Sequence, residues 1–190
     1  MTVATYVSGR AFLGLIRHLR DTGGSARVAR VIDLAAAPDV FSERISKLGW
    51  YRYAAFTGFL GAAEQVLPRT ARGASFELGT VAGQQDLGTV LRIYATIASP
   101  ERLIRSCKLV WPGYYKNAGR MEAVEWAPES TVLRIHDFPD MHPLHCRLME
   151  GWMISTMQTL GFSVGGDARQ TKFMGDGSPY HEFRCTWRRG

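Results

Sequence analysis

Lys172-Phe173-Met174-Gly175-Asp176-Gly177-Ser178-Pro179-Tyr180-His181-Glu182-Phe183-Arg184-Cys185-Thr186-Trp187 sets the architecture of the chain. Gly175 and Gly177 permit positive φ and Pro179 excludes helix, so together they mark a tight turn. Beyond it the side chains alternate: His181, Phe183, Cys185 and Trp187 share one face, and Glu182, Arg184, Thr186 and Arg188 the other. A period of two with one apolar face predicts a half-buried antiparallel strand closing a hairpin, with His181 aimed inward at its turn end.

Phe162 to Phe173 leads into that hairpin as a weakly patterned strand. Before it, a helix from Asp140 or Pro143 to Leu160 is predicted. Cys146, Met149, Met153, Met157 and Leu160 fall within about 80° of one another at 100° per residue, which turns Cys146 and three methionines to the core. Further upstream, Arg120–Trp126 and Thr131–Phe138 read as two strands joined at Pro128-Glu129-Ser130.

The N-terminal part reads as helices. Ser8 caps a helix over Gly9–Asp21 that Gly23-Gly24 stops, and Ser25 starts a second. Pro38-Asp39 opens a short helix through Lys47, ended by Gly49, and Trp50 to Leu67 reads as a central helix apolar nearly all round. Phe76 to Ala98 is another helix, whose Gly79, Gly83 and Gly88 suit close packing against a neighbouring helix or, alternatively, a ligand. Ser99-Pro100-Glu101 begins a helix with Cys107 on its apolar face, which Pro112 should kink or end. The expectation is one α+β domain. A helical part, about 1–118, packs on a strand–helix–strand part, about 119–190, whose twisted antiparallel sheet comprises Arg120–Trp126, Thr131–Phe138, Ser163–Phe173 and Tyr180–Arg188.

Composition narrows the function classes. The 190 residues are 46% apolar, enough for a real core. The net charge is +6, but 19 of the 23 basic residues are Arg, scattered from Arg10 to Arg189, so a solvated surface is expected and no nucleic-acid partner. Cys107, Cys146 and Cys185 form no CxxC pair and fit a reducing cytoplasm. No secretory signal is expected at the N-terminus, and because the richest apolar window, Ala54 to Leu67, is interrupted by Glu64 and Gln65, no membrane span is expected either.

At Cys146-Arg147-Leu148-Met149-Glu150-Gly151-Trp152, followed by Lys172-Phe173-Met174-Gly175-Asp176-Gly177-Ser178-Pro179-Tyr180-His181, the chain resembles the 4-vinyl-reductase-type small-molecule-binding domain. Haem-nitric-oxide-binding domains and the TRAPP vesicle-tethering subunits belong to the same superfamily. Trp50-Tyr51, Ser99-Pro100-Glu101, Trp111 and Gly119 extend the resemblance to a bacterial paralogous family of this length. In phenol-sensing members the resemblance implies a zinc site, whose positions fall here on Cys146, Lys172, Phe173 and His181. Tetrahedral zinc needs about four N, S or O ligands, and only Cys146 and His181 could serve, so no metal is expected. The haem-binding relatives use a proximal His on the helix before the strands. Glu101 to Tyr115 holds only Cys107, which reads as a buried small hydrophobe, so no haem or other cofactor is expected.

The remaining constellations are weak. His142 and His145 flank Cys146 at a helix start, but His145 points about 100° away from the thiol, so the three read as surface histidines beside a core cysteine. No acid pair, P-loop or dinucleotide fingerprint is specified, and the chain does not read as an enzyme. The aromatic and methionine side chains suggest a pocket for an apolar small molecule or lipid from Trp111, Tyr114, Cys146, Met149, Trp152, Met153, His181 and Phe183. The apolar face of Trp50 to Leu60, needing cover, suggests a homodimer. The expected function is a regulatory or scaffold module making contacts with a protein partner. Small-molecule sensing comes second, and haem-based gas sensing or cysteine-dependent catalysis last.

Overall fold

The computed structural model describes residues 3–86, 100–162 and 167–188. Strand β1 (Tyr6–Ser8) runs straight into helix α1 (Gly9–Leu34), because the Ser8 hydroxyl accepts the Arg10 N–H at 3.3 Å and caps the helix. Gly24 breaks α1 at φ 71 and ψ −178, where the Gly23-Gly24 pair predicts a stop. Helix α2 (Pro38–Phe41) is far shorter than the expected run to Lys47. The chain beyond it is instead held as turns, with the Tyr51 hydroxyl accepting the Ser46 N–H at 2.7 Å and the Ser46 carbonyl accepting the Gly49 N–H at 3.0 Å.

The second correction lies at Trp50–Arg52, which is not the first turn of a helix but strand β2. It pairs antiparallel with β1, Val7 opposite Tyr51, and β1 pairs on its other side with β3 (Tyr115–Lys116). This three-stranded sheet, order β2-β1-β3, is made of segments too short to show a period of two. Tyr53–Val66 is helix α3, with Phe56, Phe59 and Leu60 fully buried. Phe12 of α1 makes edge contacts with Phe56 and Phe59 at 5.3 and 5.9 Å. The apolar face that suggested a homodimer is therefore covered from within the chain.

Helix α4 (Ala74–Asp86) begins where Glu64 of α3 accepts the N–H groups of Ala74 and Ser75 at 2.9 and 2.7 Å. The remainder of the expected Phe76–Ala98 helix, Gly88 included, lies outside the described residues. Helices α5 (Pro100–Arg105) and α6 (Cys107–Tyr114) follow, and α6 ends two residues after Pro112, passing directly into β3.

The second sheet has the order β4-β5-β7-β6, built from β4 (Arg120–Ala127), β5 (Ser130–His136), β6 (Ala168–Lys172) and β7 (Tyr180–Thr186), every neighbour antiparallel. Its register sets His181 opposite Ile135 and Phe183 opposite Leu133, all at most 1% exposed. The inward face of the hairpin is thus the one read from the alternation. Its turn is a 3-10 segment, Met174–Asp176, closed by Gly177 at φ 85. Strand β6 is shorter than the expected Ser163–Phe173, whose residues 163–166 lie outside the described ones.

Helix α7 (Pro143–Thr159) is buried on nearly every side, with the sheet against one face and α4 against another. Gly79 of α4 and Gly151 of α7 bring the two backbones together. A Cβ at Gly79 would overlap the Leu148 carbonyl, and one at Gly151 the Phe76 carbonyl. The glycines of α4 therefore serve helix–helix packing.

One buried carboxylate ties α7 to its surroundings. Glu150 is 2% exposed and accepts from Arg72 at 3.2 Å, Arg147 at 3.0 Å and the Gln170 N–H of β6 at 2.8 Å. Arg72 also reaches Asp167 at 2.9 Å and the Ala168 carbonyl, and its guanidinium lies 3.9 Å from the Phe76 ring centroid. Glu150→Gln keeps the shape but exchanges charge-assisted bonds for neutral ones. It should cost about 1–2 kcal/mol in urea unfolding, and an unchanged midpoint would refute the assignment.

Candidate functional site

Helix α3 opens on Tyr53, whose N–H is donated to the Thr5 carbonyl at 3.0 Å, and its side chain crosses to the start of α7. There the Tyr53 hydroxyl oxygen accepts the His142 N–H at 3.0 Å and lies 2.9 Å from His145 Nδ1. Donating the phenol proton to Nδ1 satisfies more of these groups than accepting from it, which would leave both that proton and Nε2 unmet. The network assigns the neutral tautomer of His145 with hydrogen on Nε2.

His145 is fully buried and its Nε2 has no hydrogen-bond partner among the described residues. Aromatic rings surround it: Trp111 lies parallel at 6.2 Å, with Tyr115 at 4.9 Å, Phe56 at 5.7 Å and Phe138 at 6.2 Å. Burial pushes the imidazole pKa down to about 3, with the charges of His181 and His142 as lesser causes, so the ring stays neutral. Burial likewise pushes the Tyr53 phenol far up. An unmet buried donor costs about 1–3 kcal/mol, and Nε2 shares that condition among the described residues with the hydroxyls of Ser75, Ser155 and Thr156.

Phe56, Trp111 and Tyr115 also line a chamber. Its walls come from both layers: Arg10, Gly14 and Leu15 of α1, Phe56 of α3, Gln85 of α4, Trp111 and Tyr114 of α6, Met121 of β4, and Met149 and Trp152 of α7. The cavity is about 60 Å³, well below the roughly 300–1,000 Å³ of cofactor-sized pockets. Arg10 and Gln85 are its polar side chains besides the phenols and indoles. The Trp111 indole is tethered by donating to the Ala118 carbonyl at 3.0 Å.

Of the residues expected to form a pocket, the structure places Trp111, Tyr114, Met149 and Trp152 around this chamber. Cys146, Met153, His181 and Phe183 are buried but do not line it. His181 ties the hairpin turn to the chain after β5: Nε2 donates to the Phe138 carbonyl at 2.9 Å and Nδ1 accepts the Met174 N–H at 3.4 Å. Both ring nitrogens are thus engaged, and Lys172 Nζ is turned to the Tyr180 hydroxyl at 3.0 Å, so the positions implied for zinc do not form a ligand set. Among the described residues no group of three or more His, Cys, Asp or Glu could hold a metal ion.

One site reading needs correction. His145, expected on the surface, is wholly buried, and its contact with Tyr53 is one the sequence pattern missed. The signal lay in the second stripe of α7, where His145, Leu148 and Trp152 recur at helical spacing. Cys146 is a core cysteine as read: burial pushes its thiol up to about 12, which removes the thiolate a nucleophile needs.

No family model matches the chain, and no curated protein matches it. Solved structures do. An unliganded Fe(II) H-NOX protein variant from K. algicida aligns with a TM-score of 0.69 and 15% identity over 96% of this chain and 97% of its own. An Fe(II) H-NOX variant from S. oneidensis gives 0.71 and 13% over 95% and 96%, and an S. oneidensis H-NOX protein in the Fe(II)NO state 0.69 and 12% over 95% and 99%. The fold is that of the H-NOX domains. The likeness overturns the ordering drawn from the sequence, in which a protein-contact scaffold came first and haem-based sensing last: the chains sharing this architecture over nearly their whole length are described by iron and its ligand. Among the described residues no helix is long and apolar enough to cross a membrane.

Haem is the group these neighbours imply, and the residues present do not fit it. Haem iron takes a His, Cys, Met or Tyr donor. None of the five histidines or three cysteines of the chain lines the chamber. Cys107, on the helix where the resemblance implies a proximal His, is buried with its thiol pushed up to about 11 by that burial. Among the described residues the wall does carry donors that haem iron takes elsewhere, the thioethers of Met121 and Met149 and the phenols of Tyr114 and Tyr115, so the misfit rests on room: a cavity of about 60 Å³ is well below a cofactor-sized pocket.

Proposed function

We propose that the chain is a sensory domain with the H-NOX fold that answers to a small apolar molecule held directly in the chamber. One observation carries this reading: the chamber is walled by α1, α3, α4, α6, β4 and α7 together, so an occupant presses on the helical layer and on the sheet side at once. Aromatic and methionine walls suit an uncharged apolar ligand. The resemblance of the Cys146–Trp152 and Lys172–His181 stretches to a small-molecule-binding domain supports the same reading.

The test is to titrate the purified protein with toluene and, separately and without oxygen, with haem. Toluene should raise the melting temperature in proportion to the logarithm of its concentration, as any ligand selective for the folded state does. Haem should give no one-to-one complex. One equivalent of haem with a Soret band that moves on adding nitric oxide would overturn direct binding in favour of haem-carried sensing. A melting temperature indifferent to both would remove the sensory reading altogether.

A further inference from the structure

We infer that the protein carries a second ligand site, apart from the chamber, for an amphiphilic organic anion: an apolar body ending in a carboxylate or a like head. The site lies in the elbow of α1, and it goes beyond the proposed sensory chamber without depending on it.

Gly24 divides α1 into two arms, and each contributes apolar side chains to a hollow between them. Leu13 and Ile16 come from the first arm and Val28 and Ile32 from the second, at the three- and four-residue spacings of a helix face. Phe41 of α2 and Ile45 after it complete the apolar lining. The hollow is about 410 Å³, within the roughly 300–1,000 Å³ of ligand pockets and several times the chamber's volume of about 60 Å³. Leu13, Ile32 and Phe41 pack on the core yet are only half-buried, so apolar surface remains for an occupant to cover.

Charge selects the head. The hollow is also lined by Arg17, Arg20 and Arg44 against the single carboxylate of Glu43, three positive charges to one negative. All four are exposed, and among the described residues none of the three guanidinium groups has a hydrogen bond or an ion pair. The polar hollow at Arg72, Arg147 and Arg169 is the opposite case, since each of its arginines is matched to Glu150 or Asp167. Arg17 and Arg20 stand one turn beyond Leu13 and Ile16 on the same face of the first arm, so a chain lying along the apolar floor ends among guanidinium donors, which suit a carboxylate. The volume is that of a pocket for one small molecule, which favours a free amphiphile over a membrane surface.

Titration calorimetry at neutral pH and below the micelle concentration tests the head with dodecanoate, dodecanol and dodecyltrimethylammonium, and the body with decanoate. Dodecanoate should bind about tenfold more tightly than dodecanol, one charge-assisted bond to a guanidinium, and dodecyltrimethylammonium most weakly. Decanoate, shorter by two methylenes, should bind about tenfold more weakly than dodecanoate. In the methyl spectrum the resonances of Ile16, Ile32 and Ile45 should move with dodecanoate, while those of Met121 and Met149 at the chamber wall stay. The combined variant Arg17→Gln, Arg20→Gln, Arg44→Gln should erase the preference for dodecanoate and keep dodecanol binding. Should that variant fail to fold, the ligand series and the methyl spectrum of the unmodified protein decide the matter alone. Equal affinity for dodecanoate and dodecanol overturns the anionic head. Movement of the methionine methyls in place of the isoleucine ones overturns the site in favour of the chamber. Absence of dodecanoate binding overturns the inference, and sedimentation with phosphatidylglycerol vesicles in that case assigns the arginines to a membrane surface. The response to toluene tests the chamber separately and is untouched by these outcomes.

Discussion

Gly151→Ala should lower the unfolding free energy by about 3 kcal/mol, although alanine is by itself the better helix former by about 1 kcal/mol. Gly151 sits in the middle of α7 where that helix crosses α4, and an added Cβ would run into the Phe76 carbonyl oxygen and the Thr80 backbone nitrogen. Both are main-chain atoms inside a helix, so no side-chain rotation relieves the overlap. The helices must part along a seam that also packs Leu78 and Leu148, which are buried. Gly61→Ala in α3 is the control, since its Cβ would meet only Leu144 Cδ1 at 3.9 Å. There the propensity term should prevail, with a gain of up to about 1 kcal/mol. Urea unfolding of the two variants measures both signs. Equal midpoints would show that α4 and α7 are not in backbone contact.

The contrast between these glycines shows what a local pattern carries. Gly79 and Gly83 stand one helical turn apart, a spacing that implies close approach, and the structure supplies the partner as α7. The hairpin was legible for a similar reason: alternation from His181 to Trp187 is a local property, and the sheet needs only that face to be covered. Trp50–Arg52 was misread because a three-residue strand has no period of its own. Its conformation comes from pairing with Tyr6–Ser8, more than forty positions earlier in the chain, and tertiary pairing overrides the helical pattern that follows.

The site was harder to see, again for a physical reason. Trp111, Tyr114, Met149 and Trp152 are large apolar residues that any reading of a core would gather, and they do meet at the chamber. His145 was placed at the surface because imidazole is usually exposed or half-buried and the adjacent Cys146 already claimed the inward direction. Helix α7, however, has two inward directions, one toward the sheet and one toward the helices, and the second passes through His145. What makes burial tolerable there is the Tyr53 hydroxyl, ninety-two positions away in sequence, a contact that no spacing rule announces. The fold provides the chamber, while the residues facing it decide what the chamber holds.

Acid should unfold this protein early, and His145 sets the scale. Its folded-state pKa, about 3 against an ordinary 6.5, is depressed chiefly by burial. Between those two values the unfolded chain holds a proton that the folded chain refuses. The stability due to the neutral ring is therefore complete above about pH 6.5 and lost progressively as the pH falls toward 3. At about 1.4 kcal/mol per pH unit, lowering the pH to 4.5 removes about 3 kcal/mol through this one residue. His181 shifts in the same direction, mainly through burial, and steepens the loss. Glu64 and Glu182, held below the usual carboxylate range by hydrogen bonds from Ser75 and from Arg134 that outweigh their burial, contribute stability that disappears only at still lower pH. Urea unfolding at fixed ionic strength from pH 7.5 to 4.5 should show the decline beginning near pH 6.5, and His145→Phe should flatten it. A stability curve level down to pH 5 would mean that His145 takes up a proton in the folded state, and with it that the Tyr53–His145 pair is open to water.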